Sequence, residues 1–129
     1  MKYTITGDNL QFVNVELDSG EEIKSVAGAM VYMSGNMRMD TKMEGGFLAG
    51  LKRSISGASL FMVNYQPQGG SGLIGFGGKA PGKILDVDTS KGSWLVQSSS
   101  FLASEPGVKV DMALQKKIGG IMFGGEGLI

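Results

Sequence analysis

The sequence predicts an all-β protein with very little helix, and three observations support this fold class. Apolar and polar residues alternate in many short runs. Turn residues recur at intervals of about eight to twelve residues. The 129 residues include 22 glycines but only three prolines, with no triplet period that would indicate collagen. Short alternating strands separated by frequent turns are typical of a β-sandwich or a β-barrel.

The first strands are predicted from strict alternation. In Gln11–Leu17 the residues Val13, Val15 and Leu17 share one face. The turn Asp18-Ser19-Gly20 separates this run from a second strand over residues 21–26. The remaining predicted strands, after the hairpin described next, are Leu60–Tyr65, Gly72–Phe76, Lys83–Val87, Ser93–Gln97, a short run at Phe101–Ala103, and Val108–Met112.

A hairpin is predicted between these groups, from Ala29–Met33 and Met37–Met43 joined by Ser34-Gly35-Asn36. Its second arm places methionines and a threonine on one face and charged residues on the other. The alternative is a methionine-rich helix, since three methionines of this stretch have helical spacing. A glycine and an asparagine in its middle would destabilise that helix, so the hairpin is the preferred interpretation.

Two glycine-rich segments, residues 44–61 and 116–129, are similar to each other. Each opens with a Gly-Gly pair, passes an apolar cluster and reaches a Gly-x-x-Leu step. Gly20 and Gly82, which begin two similar alternating runs, are 62 residues apart, and Gly57 and Gly125 are 68 apart. We therefore predict one domain, residues 1–129, built of two repeats of about 65 residues. Repeat one covers roughly residues 10–70, and repeat two covers roughly residues 72–129 and is incomplete.

The order of these motifs resembles a known family. The motifs are Ser19-Gly20-Glu21, Gly28-Ala29-Met30, Gly45-Gly46, Leu51-Lys52-Arg53, Ser56-Gly57 with Leu60-Phe61, and Pro81-Gly82-Lys83-Ile84. Together they are similar to the bacterial and archaeal family of the mitochondrial biogenesis protein named for altered inheritance of mitochondria. The resemblance covers nearly the whole chain, but only the N-terminal part of the longer family members.

This resemblance implies a sandwich of the double-stranded β-helix type, related to the tryptophan RNA-binding attenuation protein. Family members carry three repeats, so the third is expected to be missing here, and Ala58 stands where the family often has glutamate. The family brings no catalytic residues to carry over. Its mitochondrial branch is linked to inner-membrane organisation, which suggests a peripheral membrane role as one alternative.

Composition excludes several kinds of chemistry. The chain has no cysteine and no histidine, which rules out thiolate nucleophiles, Ser-His-Asp triads and nearly all zinc sites. Twelve basic and twelve acidic residues give zero net charge, which argues against nucleic acid as a partner. There is no signal peptide and no apolar run of spanning length. We expect a cytoplasmic protein that is not an enzyme and has no metal, cofactor or small-molecule ligand.

Four sequence features could indicate a specific binding or catalytic function. Residues 70–75 match the dinucleotide fingerprint G-x-G-x-x-G, but Gly77, Gly78 and Pro81 prevent the helix that this fingerprint requires. Asp86 and Asp88 share a strand face that could hold a cation, although the following loop lacks further ligands. Glu44 and Glu126 could form a carboxylate pair, with no partner nucleophile in view. Aromatic residues such as Trp94 could stack on bases, but core packing is the preferred interpretation.

The leading functional prediction is a non-enzymatic scaffold or binding protein that forms a closed homo-oligomer. An incomplete second repeat would leave a sheet edge and an apolar face uncovered, and pairing with further copies would cover both. An RNA- or DNA-binding protein is the rival, and a peripheral membrane-associated protein is the second alternative. The candidate interface residues lie in the two glycine-rich segments and are Phe47, Leu48, Leu51, Ile118, Ile121, Met122 and Phe123.

Overall fold

The computed structural model of this protein describes residues 1–42 and 62–111. These residues form strands and a single 3₁₀ turn at Ser98–Ser100. The strands are β1 (Lys2–Thr6), β2 (Phe12–Leu17), β3 (Ile23–Val26), β4 (Met30–Met33), β5 (Met37–Lys42), β6 (Met62–Pro67), β7 (Gly72–Gly77) and β8 (Ala103–Ser104). The predicted all-β class is confirmed.

Within the described ranges the strands form two four-stranded antiparallel sheets. The first has the order β1-β2-β7-β4 and the second has the order β5-β6-β3-β8. Most consecutive strands in the described part lie in different sheets, and only the pairs β1–β2 and β5–β6 stay within one sheet. The run β6–β7 is central, since it pairs with β2 and β4 in the first sheet and with β3 and β5 in the second. The chain therefore changes sheet repeatedly through the connections between its strands.

The first crossing is the turn between β2 and β3, as predicted from Asp18-Ser19-Gly20. The Glu21 N–H donates to the Asp18 carbonyl at 3.0 Å, and a Glu21 carboxylate oxygen accepts from the Asp18 N–H at 2.8 Å. Gly20 has a φ of +88°, a left-handed conformation that favours glycine. The second Glu21 oxygen bonds the N-terminal ammonium group. That partner, with the bond from Asp18, lowers the pKa of Glu21.

The connection between β4 and β5 corrects the predicted hairpin. Both strands exist, but β4 pairs with β7 and β5 pairs with β6, so the two do not pair with each other. The cause lies in the connecting residues. Ser34 exchanges hydrogen bonds with the Leu73 backbone through its own N–H and hydroxyl, at 2.8 and 3.0 Å. The Asn36 amide donates to the carbonyls of Gln68 and Ser71. These distant bonds hold residues 34–36 as a corner beside the β6–β7 connection.

The core lies between the sheets and contains the apolar positions that alternation predicted in β2, β3 and β6. Leu17, Ile74 and Phe76 are fully buried, and Tyr65 is 2% exposed. The rings of Tyr65 and Phe76, from opposite sheets, meet edge to face with centroids 5.7 Å apart. A smaller cluster joins Met62 to Val110. The described core therefore connects both sheets in one layer.

The strands predicted at residues 83–87, 93–97 and 108–111 are wrong for the residues that the structure describes. The first two stretches make no ladder over residues 83–96, and residues 108–111 are irregular, although Val110 is buried. Alternation was present in these stretches, but a strand also needs a neighbouring backbone. The only named strand after β7 in the described part is β8, which pairs with β3. Residue 112, the last of the third predicted strand, lies outside the described residues.

Candidate interaction surface

Residues 83–95, called the arm from here on, leave the first sheet after β7 and expose apolar side chains. Leu85 is 83% exposed and Leu95 is 70% exposed, and Val87 and Trp94 are also exposed. A shallow cleft is lined by Leu85, Val87 and Trp94, together with Asp86, Asp88 and Lys91. Single exposed apolar residues are ordinary on protein surfaces, but several in one segment indicate an interaction site.

The base of the arm is fixed to the β1–β2 turn by backbone bonds. The Gly82 N–H donates to the Asn9 carbonyl at 2.7 Å, and the Gln11 N–H donates to the Gly82 carbonyl at 3.3 Å. Two residues further on, the Ile84 N–H donates to the Gln11 side-chain oxygen at 2.8 Å. The arm therefore starts at a defined position beside this turn.

A polar contact holds the middle of the arm to the edge strand β1. The Tyr3 hydroxyl donates to the Asp86 carboxylate at 2.9 Å. This hydrogen bond, together with the negative charge of Asp86, raises the pKa of the Tyr3 phenol. Asp86 is thus engaged by a side chain of its own protein.

The tip of the arm is organised by Asp88. Its carboxylate accepts from the Ser90 N–H at 2.8 Å, and its carbonyl accepts from the Trp94 indole at 3.1 Å. Hydrogen bonds from Ser90 lower the pKa of Asp88. Trp94 is 58% exposed, so the prediction that it packs in the core is wrong. Its indole lies at the surface because the indole N–H is hydrogen-bonded to the Asp88 carbonyl in the turn of the arm.

The cation site considered for Asp86 and Asp88 gains no support, because each carboxylate has a protein hydrogen-bond donor. In the described part of the chain, no cluster of three or more acidic, histidine or cysteine side chains could bind a metal. The G-x-G-x-x-G stretch also has a structural role. Gly70 lies in a loop with a φ of +139°, and β7 begins at Gly72, as the glycine-rich strand interpretation predicted.

A polar row crosses the outer face of the first sheet. Thr4, Asn14, Gly75 and Tyr32 are successive neighbours on β1, β2, β7 and β4. The Tyr32 hydroxyl donates to the Asn14 side-chain oxygen across Gly75. The Asn14 amide donates onward to Thr6 at 3.1 Å and to the Thr4 carbonyl at 3.4 Å. This row satisfies its own hydrogen bonds and functions as a cross-strand clamp.

A second polar group is buried in the second sheet. Burial raises the pKa of the Tyr65 phenol, and a hydrogen bond with Ser25 has a smaller, opposite effect. Ser25 is fully buried and donates to the Val26 carbonyl at 3.2 Å. This pair lies in the core with almost no access to solvent.

The interface residues predicted from the sequence cannot be placed. Phe47, Leu48, Leu51, Ile118, Ile121, Met122 and Phe123 lie outside the described residues, and so do Glu44 and Glu126. Sequence reasoning missed the arm because its alternation resembles that of a half-buried strand. The available signal was the mixture of two aspartates and one lysine with the apolar residues of 84–95.

Comparison with known proteins decides the family. The family described as Mitochondrial biogenesis AIM24 matches residues 3–129 of the chain. The chain belongs to the AIM24 family. The AIM24 assignment covers both described ranges, including the arm, and confirms the resemblance inferred from the sequence motifs.

Two proteins similar to this chain come from Streptococcus pyogenes. An uncharacterised protein of a serotype M6 strain is 29% identical over 136 residues, covering 98% of this chain and 54% of the relative. A crystal structure of an S. pyogenes protein is similar with a TM-score of 0.74 and 25% identity, covering 98% of this chain and 58% of that one. The chain thus spans little more than half the length of these relatives. In the described ranges, no helix has the length and apolar character needed to cross a bilayer.

Proposed function

We propose that this AIM24-family protein is a non-enzymatic scaffold that associates with further copies of itself. The observation that carries the proposal is the arm, which places Leu85 and Leu95 in solvent at 83% and 70% exposure. Hydrophobic side chains gain roughly 25 cal/mol for each Å² of apolar surface removed from water. Covering these side chains with another copy would therefore favour association.

The distribution of polar groups supports a scaffold over an enzyme. In the described part of the chain, the groups with shifted pKa values are spread over several places: the N-terminal ammonium group with Glu21 at the β2–β3 turn, Tyr65 in the core, Tyr3 at the sheet edge and Asp88 at the tip of the arm. Active sites bring such groups together in one cleft. The chain also contains no histidine or cysteine, the side chains most often used as bases and nucleophiles near neutral pH.

Charge supports another protein copy over nucleic acid as the partner. The chain has zero net charge, and Asp86 and Asp88 lie in the same cleft as Trp94. Carboxylates next to an exposed indole repel the phosphates of a strand whose bases would stack there. A cytoplasmic location is part of the proposal, as expected from the sequence.

Light scattering coupled to size-exclusion chromatography tests self-association. The expected result is an oligomer whose mass is at least two times the 13.5 kDa of one chain, and a whole multiple of it, at micromolar concentration. A single 13.5 kDa species across the concentration range would refute the proposal. Filter binding to single-stranded RNA and DNA at low salt separates the rival, because phosphate-driven binding would be strong there and weaken steeply as salt rises.

Flotation with anionic and neutral vesicles distinguishes the peripheral membrane alternative. A scaffold of protein copies stays in the dense fraction with both lipid compositions. Co-flotation that depends on Leu85 or Leu95 would instead assign the apolar arm to a lipid surface.

A further inference from the structure

The backbone of the arm has one side that is bonded within the protein and one side that is open. Gly82 and Ile84 direct their N–H groups to Asn9 and Gln11 outside the arm. Both are even-numbered residues. In an extended chain, the backbone groups of successive residues point to opposite edges. The odd-numbered residues Lys83, Leu85 and Val87 therefore face away from the protein.

The open side is unoccupied by described neighbours. Across residues 1–42 and 62–111, no backbone hydrogen bond reaches Lys83, Leu85 or Val87. Exposed, unpaired backbone next to exposed apolar side chains is the usual template for addition of another strand. The short edge from 83 to 87 offers three such residues at alternate positions.

We infer that residues 83–87 pair antiparallel with the same residues of a second copy of this chain, with Leu85 opposite Leu85. The inference rests on the self-association proposed above and names its contact. A twofold contact of this kind is self-complementary, because each copy presents the same three outward residues. The leucine with the largest exposed fraction is then covered by its own counterpart.

Register follows from backbone direction and charge. In an antiparallel pair, the numbers of the two residues that lie opposite each other add up to a constant. Both edges present odd-numbered residues to each other, so this sum must be even. A sum of 172 places Asp86 opposite Asp86, and like charges directly opposite are destabilising. A sum of 168 brings Pro81, which has no N–H, to the open edge opposite Val87. A sum of 170 avoids both, and it pairs Leu85 with Leu85 and Lys83 with Val87.

Charge favours a second copy as the occupant. The arm carries two lysines, Lys83 and Lys91, and two aspartates, Asp86 and Asp88, so its net charge is zero. The whole chain is neutral as well. Two neutral copies meet without the long-range repulsion that keeps charged proteins apart.

Single-cysteine variants test the contact directly, since the chain has no cysteine of its own. In the inferred register the two Cα atoms of residue 85 are about 5.5 Å apart, within the range of a disulfide. The two Cα atoms of residue 87 are about 14 Å apart, which is too far. Under mild oxidation Leu85→Cys should form a covalent dimer, and the matched exposed variant Val87→Cys should not.

A mixture of Lys83→Cys and Val87→Cys adds a positive control, because the register places these positions opposite each other. It should give a mixed dimer that neither variant forms alone. Light scattering on Leu85→Glu, with Leu73→Glu as the control at another exposed leucine, should show loss of assembled mass only for the first.

The outcomes separate this inference from the proposal beneath it. If the unmodified protein is an oligomer but Leu85→Cys does not cross-link, the contact inferred here is wrong and self-association stands. Equal cross-linking of Leu85→Cys and Val87→Cys would also overturn the register, since it would show random collision. If the unmodified protein is a monomer, both ideas fail together.

Discussion

The ring of Tyr32 lies directly over the Cα of Gly75, its cross-strand neighbour in the first sheet. A Cβ on residue 75 would collide with three atoms of that ring. Glycine here leaves room for Tyr32 to cross β7 and bond Asn14 on β2. One absent methyl group thus allows a hydrogen bond between strands that are not themselves neighbours.

Gly75→Ala should therefore destabilise the protein by about 1–3 kcal/mol, the usual effect of overpacking. Gly35→Ala is the matched control, because a Cβ there meets no atom within 4 Å. Chemical denaturation measures both. Adding Tyr32→Ala to Gly75→Ala should recover part of the loss, and strictly additive effects of the two substitutions would contradict the contact.

Replacing either of two serines on paired strands by alanine should change the free energy of unfolding differently. Ser25 has hydrogen bonds to Tyr65 and the Val26 carbonyl, so Ser25→Ala should cost about 0.5–1.5 kcal/mol. The Ser104 hydroxyl is buried and has no hydrogen-bond partner among the described residues. Ser104→Ala removes an unsatisfied polar atom and should be neutral or stabilising by up to about 1 kcal/mol. Urea unfolding of both variants checks the difference, and equal losses would count against it.

Alkaline pH should weaken the fold through Tyr65. Burial raises the pKa of this phenol above its ordinary value near 10, so the unfolded chain loses the proton first. The contribution to stability is complete below pH ~10 and is lost as pH rises through the folded-state pKa. Tyr65→Phe should show a smaller fall in the free energy of unfolding above pH ~10. Tyrosinate absorbance follows the titration, and parallel pH profiles for both proteins would contradict this assignment.

Low pH should disorder the turn around Asp88 at the tip of the arm. The pKa of Asp88 is lowered, so the order that its charge maintains is present above its ordinary value of about 3.9 and lost as pH falls through the folded-state pKa. Trp94 is the single tryptophan, and its indole bonds the Asp88 carbonyl. Quenching of its fluorescence by acrylamide should increase across that range. Asp88→Asn keeps an acceptor for Ser90 without a charge, and its quenching should stay constant while circular dichroism reports an intact fold.

Sequence reasoning predicted the six strands from β2 to β7, because alternation in runs such as Phe12–Leu17 states which side chains are buried. It could not predict strand partners. Ser34 and Asn36 read as a hairpin turn, yet their bonds reach residues 68–73, and that information is absent from any local pattern. The exposure of Trp94 was missed for the same reason. Burial of an aromatic residue depends on what packs against it, and residues 83–95 alternate without a covering neighbour.

The repeated change of sheet between consecutive strands has a consequence for the order of synthesis. β2 can pair with β1 as soon as both exist, but its other neighbour, β7, begins 55 residues after Leu17. At about 5–20 residues per second, a ribosome takes roughly 3–11 s to supply it. An isolated two-stranded hairpin is marginally stable in water. We expect the nascent chain to remain open to chaperones and proteases through this interval.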